Sequence, residues 1–244
     1  MGAHQNSLRS EINSIPSNTV NEVNEVYNNV VDINTAKEDM KSLTKSIIDL
    51  VLHNKRFEPK EVKKWGDDLT YGLRTLLKRR YPQYAYCICV YISDRTGYVS
   101  NDRIVYYKES DIQYIIINDT DTLYAHVRVN AYKKRSPKNN FENNMCDSSL
   151  FSNINNLLNR NLDGKTFEFK SFQPLINNIC GEINELLLAR IDRPCSYHVA
   201  YINKLPMKGV YFDYKIFDAE YYPIFFNYSN NSFICRVCLF LINL

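Results

Sequence analysis

The residues best suited to chemistry in this 244-residue chain are its cysteines and histidines. Cys87-x-Cys89 and Cys235-x-x-Cys238 have the close spacing from which thiolates could hold zinc. Cys195, three residues before His198, could pair a nucleophile with a base, and His126 could act as a general base. Each of these lies in a run whose β-branched and aromatic content predicts a strand. A closed zinc site needs a second ligand pair, and neither cysteine pair has one, nor a histidine at ligand spacing. Residues i and i+3 of a strand face opposite sides, so Cys195 and His198 are not expected to meet. His126 and His198 have apolar neighbours and read as structural, while the seven cysteines read as small buried hydrophobes in a reducing compartment. The chain has no H-E-x-x-H, G-x-S-x-G or Walker pattern, and its seven glycines form no phosphate-cradling cluster. The expectation is a protein that is not an enzyme and uses no cofactor or metal.

Charge points to no polyanion either. Thirty basic and 27 acidic residues leave a formal charge of +3, and the one dense basic cluster, Lys133 to Lys138, mixes in Pro137 and reads as a solvated linker. Nineteen tyrosines with lysines and arginines could stack bases and bind phosphate, but basic and aromatic residues do not interleave on one strand face, so an RNA-binding module is the weaker alternative. No apolar run approaches the ~20 residues of a spanning helix, and no leader pattern opens the chain, so a soluble, intracellular protein is expected.

The elements that must position these residues are revealed by an echo. Arg56 to Val62, RFEPKEV, recurs as Thr166 to Phe172, TFEFKSF, 110 residues on. At that offset Phe57/Phe167, Glu58/Glu168, Lys60/Lys170, Leu77/Leu187, Arg80/Arg190, Tyr91/Tyr201, Ile92/Ile202 and Val127/Val237 are identical. Val62, Trp65, Leu69, Leu73 and Leu76 fall on one helix face, and Phe172, Leu175, Ile179, Ile183 and Leu186 repeat the spacing. Pro59 suits the first turn of the first of these helices, with Glu58 ahead of it. A shorter amphipathic segment precedes each: Thr35-x-x-Glu38 reads as a capping box running toward Asn54, and Asp147 or Ser148 could cap the second. The period then changes to 2, which predicts strands at 84–93, 98–107, 112–118 and 123–132, and again at 195–203, 209–217, 222–227 and 232–242. The organisation expected is a tail (1–33), a first α-α-β-β-β-β domain (34–133), a linker (134–146) and a second such domain (147–244). The fold class is α+β with antiparallel sheets and helices packed on one face.

This unit resembles the Tctex-type dynein light chains. Val62-Lys63-Lys64-Trp65 resembles the Trp-bearing second helix of that family. Tyr84-Ala85-Tyr86-Cys87-Ile88 resembles the start of its central strand, and Arg95-Thr96-Gly97-Tyr98 its glycine turn. The family's aromatic-aspartate pair is kept as Phe217-Asp218 but stands as Tyr107-Lys108 in the first copy. Its last strand is matched by Asp121 to Val127 and more loosely by Asn231 to Val237. The likeness covers about residues 36–133; the second copy departs further, with Leu175 in place of the Trp.

Family members work as symmetric dimers whose sheets exchange a strand, so the resemblance implies two tandem units forming an intramolecular pseudo-dimer, monomeric as a chain. It implies a non-catalytic dynein light chain, cytoplasmic or ciliary and microtubule-associated, binding a disordered dynein intermediate-chain or cargo segment by strand addition at a sheet edge near the pseudo-dimer interface. A dynein-independent cytoskeletal or scaffold adaptor of the same fold is the alternative. The expected partner-binding residues lie on the exchanged second strands: Tyr98, Val99, Ser100, Asp102 and Ile104 in the first, Val210, Phe212 and Tyr214 in the second. The aromatics of the second strand, Tyr211 and Phe217 included, could anchor a peptide or belong to a core. The two grooves are expected to be non-equivalent.

Overall fold

The computed structural model describes residues 10, 11, 14, 32–94, 98–105, 109–134, 148–189, 195–204 and 211–243; for 98–105 and 195–204, and at 148, 169, 220, 222, 241 and 243, it describes the backbone alone. Most of the predicted tail and linker therefore lies outside the described residues. The element order is α1 (Ile33–Leu52), α2 (Val62–Arg80), β1 (Tyr84–Ser93), β2 (Tyr98–Val105), β3 (Ile112–Asp119), β4 (Tyr124–Lys133), α3 (Ser148–Leu162), α4 (Phe169–Leu188), β5 (Cys195–Lys204), β6 (Tyr211–Phe217), β7 (Glu220–Ser229) and β8 (Phe233–Asn243). All strand pairings are antiparallel, so the chain is α+β.

Helix starts differ from the sequence expectation. The cap of α1 is Asp32 rather than Thr35: its carboxylate accepts from the Thr35 amide at 3.2 Å and the Thr35 hydroxyl at 3.3 Å. Aspartate serves better there because it brings both an acceptor and a negative charge to the helix N-terminus. Glu38 instead pairs with Lys41 at 2.6 Å. Pro59 is not in the first turn of α2; residues 58–61 form a separate tight turn, closed by the Glu61 amide on the Glu58 carbonyl at 2.9 Å, and the helix begins at Val62. In the second copy α4 starts at Phe169, and exposed Pro174 sits inside it, forgoing one backbone bond.

One compact unit holds α1, α2, β1, β3, β4 and β6; the other holds α3, α4, β2, β5, β7 and β8. In the first the strand order is β3-β4-β1-β6, and in the second β2-β5-β8-β7. Each sheet thus takes one edge strand from the other half of the chain.

The apolar stripes of the helices meet one face of each sheet. In the first unit Met40, Ile47, Leu69 and Leu73 pack with Ile88, Val90, Val127 and Val129. In the second, Leu150, Leu157, Ile179 and Ile183 pack with Phe233, Val237 and Leu239, most of them the same positions 110 residues on. Each fully buried Leu or Ile contributes roughly 1.5–3 kcal/mol from area removed from water. The polar bonds repeat too. The Phe57 amide donates to Thr122 Oγ1 and the Phe167 amide to Ser232 Oγ, tying the interhelix loop to the β3–β4 and β7–β8 turns respectively. The Thr120 amide on the Leu123 carbonyl matches Asn230 on Phe233, and His53 on Asp49 matches Asp163 on Asn159. Core positions and these hydrogen bonds thus recur at the 110-residue offset.

Strand β1 is buried along its whole length, which is why YAYCICVYIS does not alternate. Tyr86, Ile88, Val90 and Ile92 face the helices, and Cys87, Cys89 and Tyr91 occupy the opposite, also buried, face together with His126, Arg128 and Asn130 of β4. Among the described residues no helix is long and apolar enough to cross a membrane.

Candidate partner-binding edges

An open sheet ends in strands that are paired on one side only, and their outward N–H and C=O groups can receive a further strand. In the first unit these are β3 and β6, in the second β2 and β7. Both strands expected from sequence to carry the binding site are therefore edges of their sheets. The side chains of Tyr98, Val99, Ser100, Asp102 and Ile104 lie outside the described part of the structure, as does Val210 entirely.

The edge formed by β6 is described in full. It pairs with β1 from Tyr86↔Phe217 to Ile92↔Tyr211 without interruption. Alternation divides its side chains. Toward the helices, Tyr211 is buried against Gly66 of α2, where an added Cβ would fall inside the van der Waals envelope of the Tyr211 ring. The Tyr211 hydroxyl lies 3.1 Å from Asp67 Oδ1 and 3.1 Å from Asp213 Oδ2; burial, then these two carboxylates, push its pKa up. Phe217 lies under the Arg74 guanidinium, 4.9 Å from ring centroid to Cζ. Asp218 follows with φ of 62°, a left-handed conformation that aspartate tolerates, and bonds Lys78 at 2.6 Å with Lys134 at 3.6 Å. Burial alone would raise the Asp218 carboxyl, but the two lysines outweigh it and hold its pKa below the ordinary value.

On the other face Phe212 and Tyr214 meet edge to face at 5.2 Å, and Phe212 reaches Tyr91 of β1 at 6.5 Å, which in turn meets Tyr124 of β4 at 6.3 Å. Four aromatic rings thus run across the sheet to its edge. Tyr211 and Phe217 pack with the core on the helix-facing side, whereas Phe212 and Tyr214 are half-buried on the other. Tyr91 and Tyr124 were not expected in the site; only the strand order brings them beside Phe212.

The edge formed by β2 has a different register. Val99 pairs with Ile202 and Asn101 with Val199, so Ala200 and Tyr201 of β5 bulge opposite Ser100. The same two residues oppose Arg236 of β8, and β1 has no such bulge at the matching place. The remaining edges carry exposed apolar residues: Ile115 and Ile117 on β3, Tyr221 and Phe225 on β7. Pro223, which has no N–H to offer, sits within β7.

The chemistry-bearing residues divide between the two units. Cys235 belongs to the core of the second unit and Cys238 to the opposite face of β8, and burial raises both thiols, Cys238 to about 12. Cys87 and Cys89 stand opposite Asn130 and Arg128, and among the described residues no group of three His, Cys, Asp or Glu could hold a metal. His126 is buried, which pushes its pKa down to about 4. Compared with models of known protein families and with curated proteins, the chain matches none.

Proposed function

We propose that this chain is a non-catalytic adaptor of the dynein light chain kind, built as a pseudo-dimer within one polypeptide, that captures an extended segment of a partner by strand addition. The observation that carries the reading is β6: contributed by the second half, it forms an edge of the first sheet and presents Phe212 and Tyr214 beside Tyr91. Backbone groups of such an edge supply affinity, and half-buried Phe212 and Tyr214, backed by buried Tyr91, supply apolar surface for side chains of the added segment. The partner class is a disordered dynein intermediate-chain segment or a cargo peptide.

The bulge in β5 and the unbroken β1 give the two exchanged strands different registers, so their edges are unequal acceptors. Calorimetric titration of a dynein intermediate-chain peptide into the full chain tests both points. One site per chain, weakened at least tenfold by Phe212→Ala with Tyr214→Ala, is the expected result. No binding overturns the adaptor reading for that partner, and two equal sites overturn the inequality.

A further inference from the structure

We propose that the groove between α2 and β1 is a sequence-selective acceptor for β6, so that side-chain pairs, and not backbone pairing alone, decide which strand completes the first sheet. This goes beyond the adaptor reading and stands whether or not an external segment binds.

Four contacts hold β6 in that groove. The Tyr211 ring lies over Gly66, its hydroxyl bonds the Asp67 carboxylate, Phe217 stacks under Arg74, and Asp218 bonds Lys78 and Lys134. The ring cannot simply swing aside to admit a larger residue at position 66, because its hydroxyl is held between Asp67 and Asp213. Every acceptor residue is changed in the second copy of the helix. At the 110-residue offset Gly66, Asp67, Arg74 and Lys78 become Ile176, Asn177, Asn184 and Leu188. The buried stripes of α2 and α4 superpose at this offset, so Ile176 occupies the place of Gly66. Laid on its own helix in the register it takes on β1, β6 would drive Tyr211 into Ile176 and leave Asp218 beside Leu188 with no cation from that helix.

The exchange is selective from the other direction as well. At the same 110-residue offset, Tyr211 and Asp213 of β6 and Asp218 just after it correspond to Asn101, Arg103 and Lys108 of the first copy. On α2 those residues would leave the Gly66 hollow unfilled and bring a lysine toward Lys78 in place of the Asp218 carboxylate. The fit at Gly66 and the pairing of position 218 with Lys78 therefore agree on one assignment, and a contiguous, unexchanged arrangement of either half is disfavoured at both places.

The test uses the full chain and a disulfide reporter. Cys89 of β1 stands directly opposite Tyr214, so Tyr214→Cys places two thiols within cross-strand bridging distance when β6 lies on β1. After oxidation, peptide mapping measures the bond between Cys89 and position 214. Adding Gly66→Ile is expected to lower the cross-linked fraction at least tenfold. Adding Tyr211→Ala to that variant is expected to restore it to within twofold, while Ile176→Leu alone leaves it unchanged. A Gly66→Ile chain that cross-links as the reporter does, or a loss that Tyr211→Ala fails to rescue, whether or not the chain still folds, overturns the proposal.

Discussion

Acidification should loosen the first unit through one buried imidazole. His126 is 4% exposed on β4, and burial pushes its pKa down to about 4 from an unfolded value of about 6.5. Because the folded state resists the proton that the unfolded state accepts, stability is full above pH 6.5 and is lost as pH falls toward 4. Linkage over that gap gives a loss of about 2 kcal/mol between pH 7 and pH 5, rising to about 3 kcal/mol below pH 4. His126→Gln keeps a polar side chain at the site and cannot take up the proton, so its unfolding free energy should fall by much less over the same interval, whatever its absolute stability. Urea denaturation followed by the fluorescence of Trp65, the single tryptophan and a buried residue of the same unit, isolates the relevant transition. Parallel pH profiles for the two proteins would refute the reasoning, since the pH-dependent loss would then come from other groups.

Two further outcomes follow from named bonds. Asp218→Asn keeps a residue that tolerates the left-handed backbone but removes the charge facing Lys78 and Lys134, and should cost about 1 kcal/mol near neutral pH. A carboxyl held below its ordinary pKa contributes above that range and loses its contribution as pH falls through the folded value, so wild-type and variant denaturation curves should converge once pH falls below the ordinary carboxylate range. Tyr114→Phe removes a buried hydroxyl that donates to the Met40 carbonyl at 3.1 Å and lies 2.8 Å from Thr44 Oγ1, leaving a fully buried threonine without that partner. Its expected cost is about 1–3 kcal/mol in the same urea assay, with no change in far-UV circular dichroism.

What the sequence made legible was the part of the fold written in periodicity. Spacing of Val62 to Leu76 and of Phe172 to Leu186 places α2 and α4, and the change to period 2 places the eight strands described, because these patterns follow from which face must be buried. Helix starts were less legible: Asp32 outcompetes Thr35 as a cap, and Pro59 closes a separate turn, both decided by local bonds that several polar residues could have made. The bulge at Ala200 and Tyr201 has no compositional mark, since the first copy runs straight through the equivalent Val90 and Tyr91. The site was legible as two strands but not as a surface. Periodicity says which side of β6 each residue faces, yet only the strand order brings Tyr91 and Tyr124 beside Phe212 or puts Gly66 beneath Tyr211. Long-range pairing of this kind leaves no periodic trace in either partner strand.

The placement of β6 also sets a timetable for synthesis. The first sheet has β1, β3 and β4 in hand once Lys133 has been made, but its fourth strand ends at Phe217, about 80 residues later. At the usual ribosomal rate of 5–20 residues per second, that is a wait of the order of 10 s. Throughout it the nascent first half holds an incomplete sheet with the edge of β1 uncovered and the hollow at Gly66 unfilled. Until its own later segment arrives, the edge of β1 is a place where a strand from elsewhere could pair.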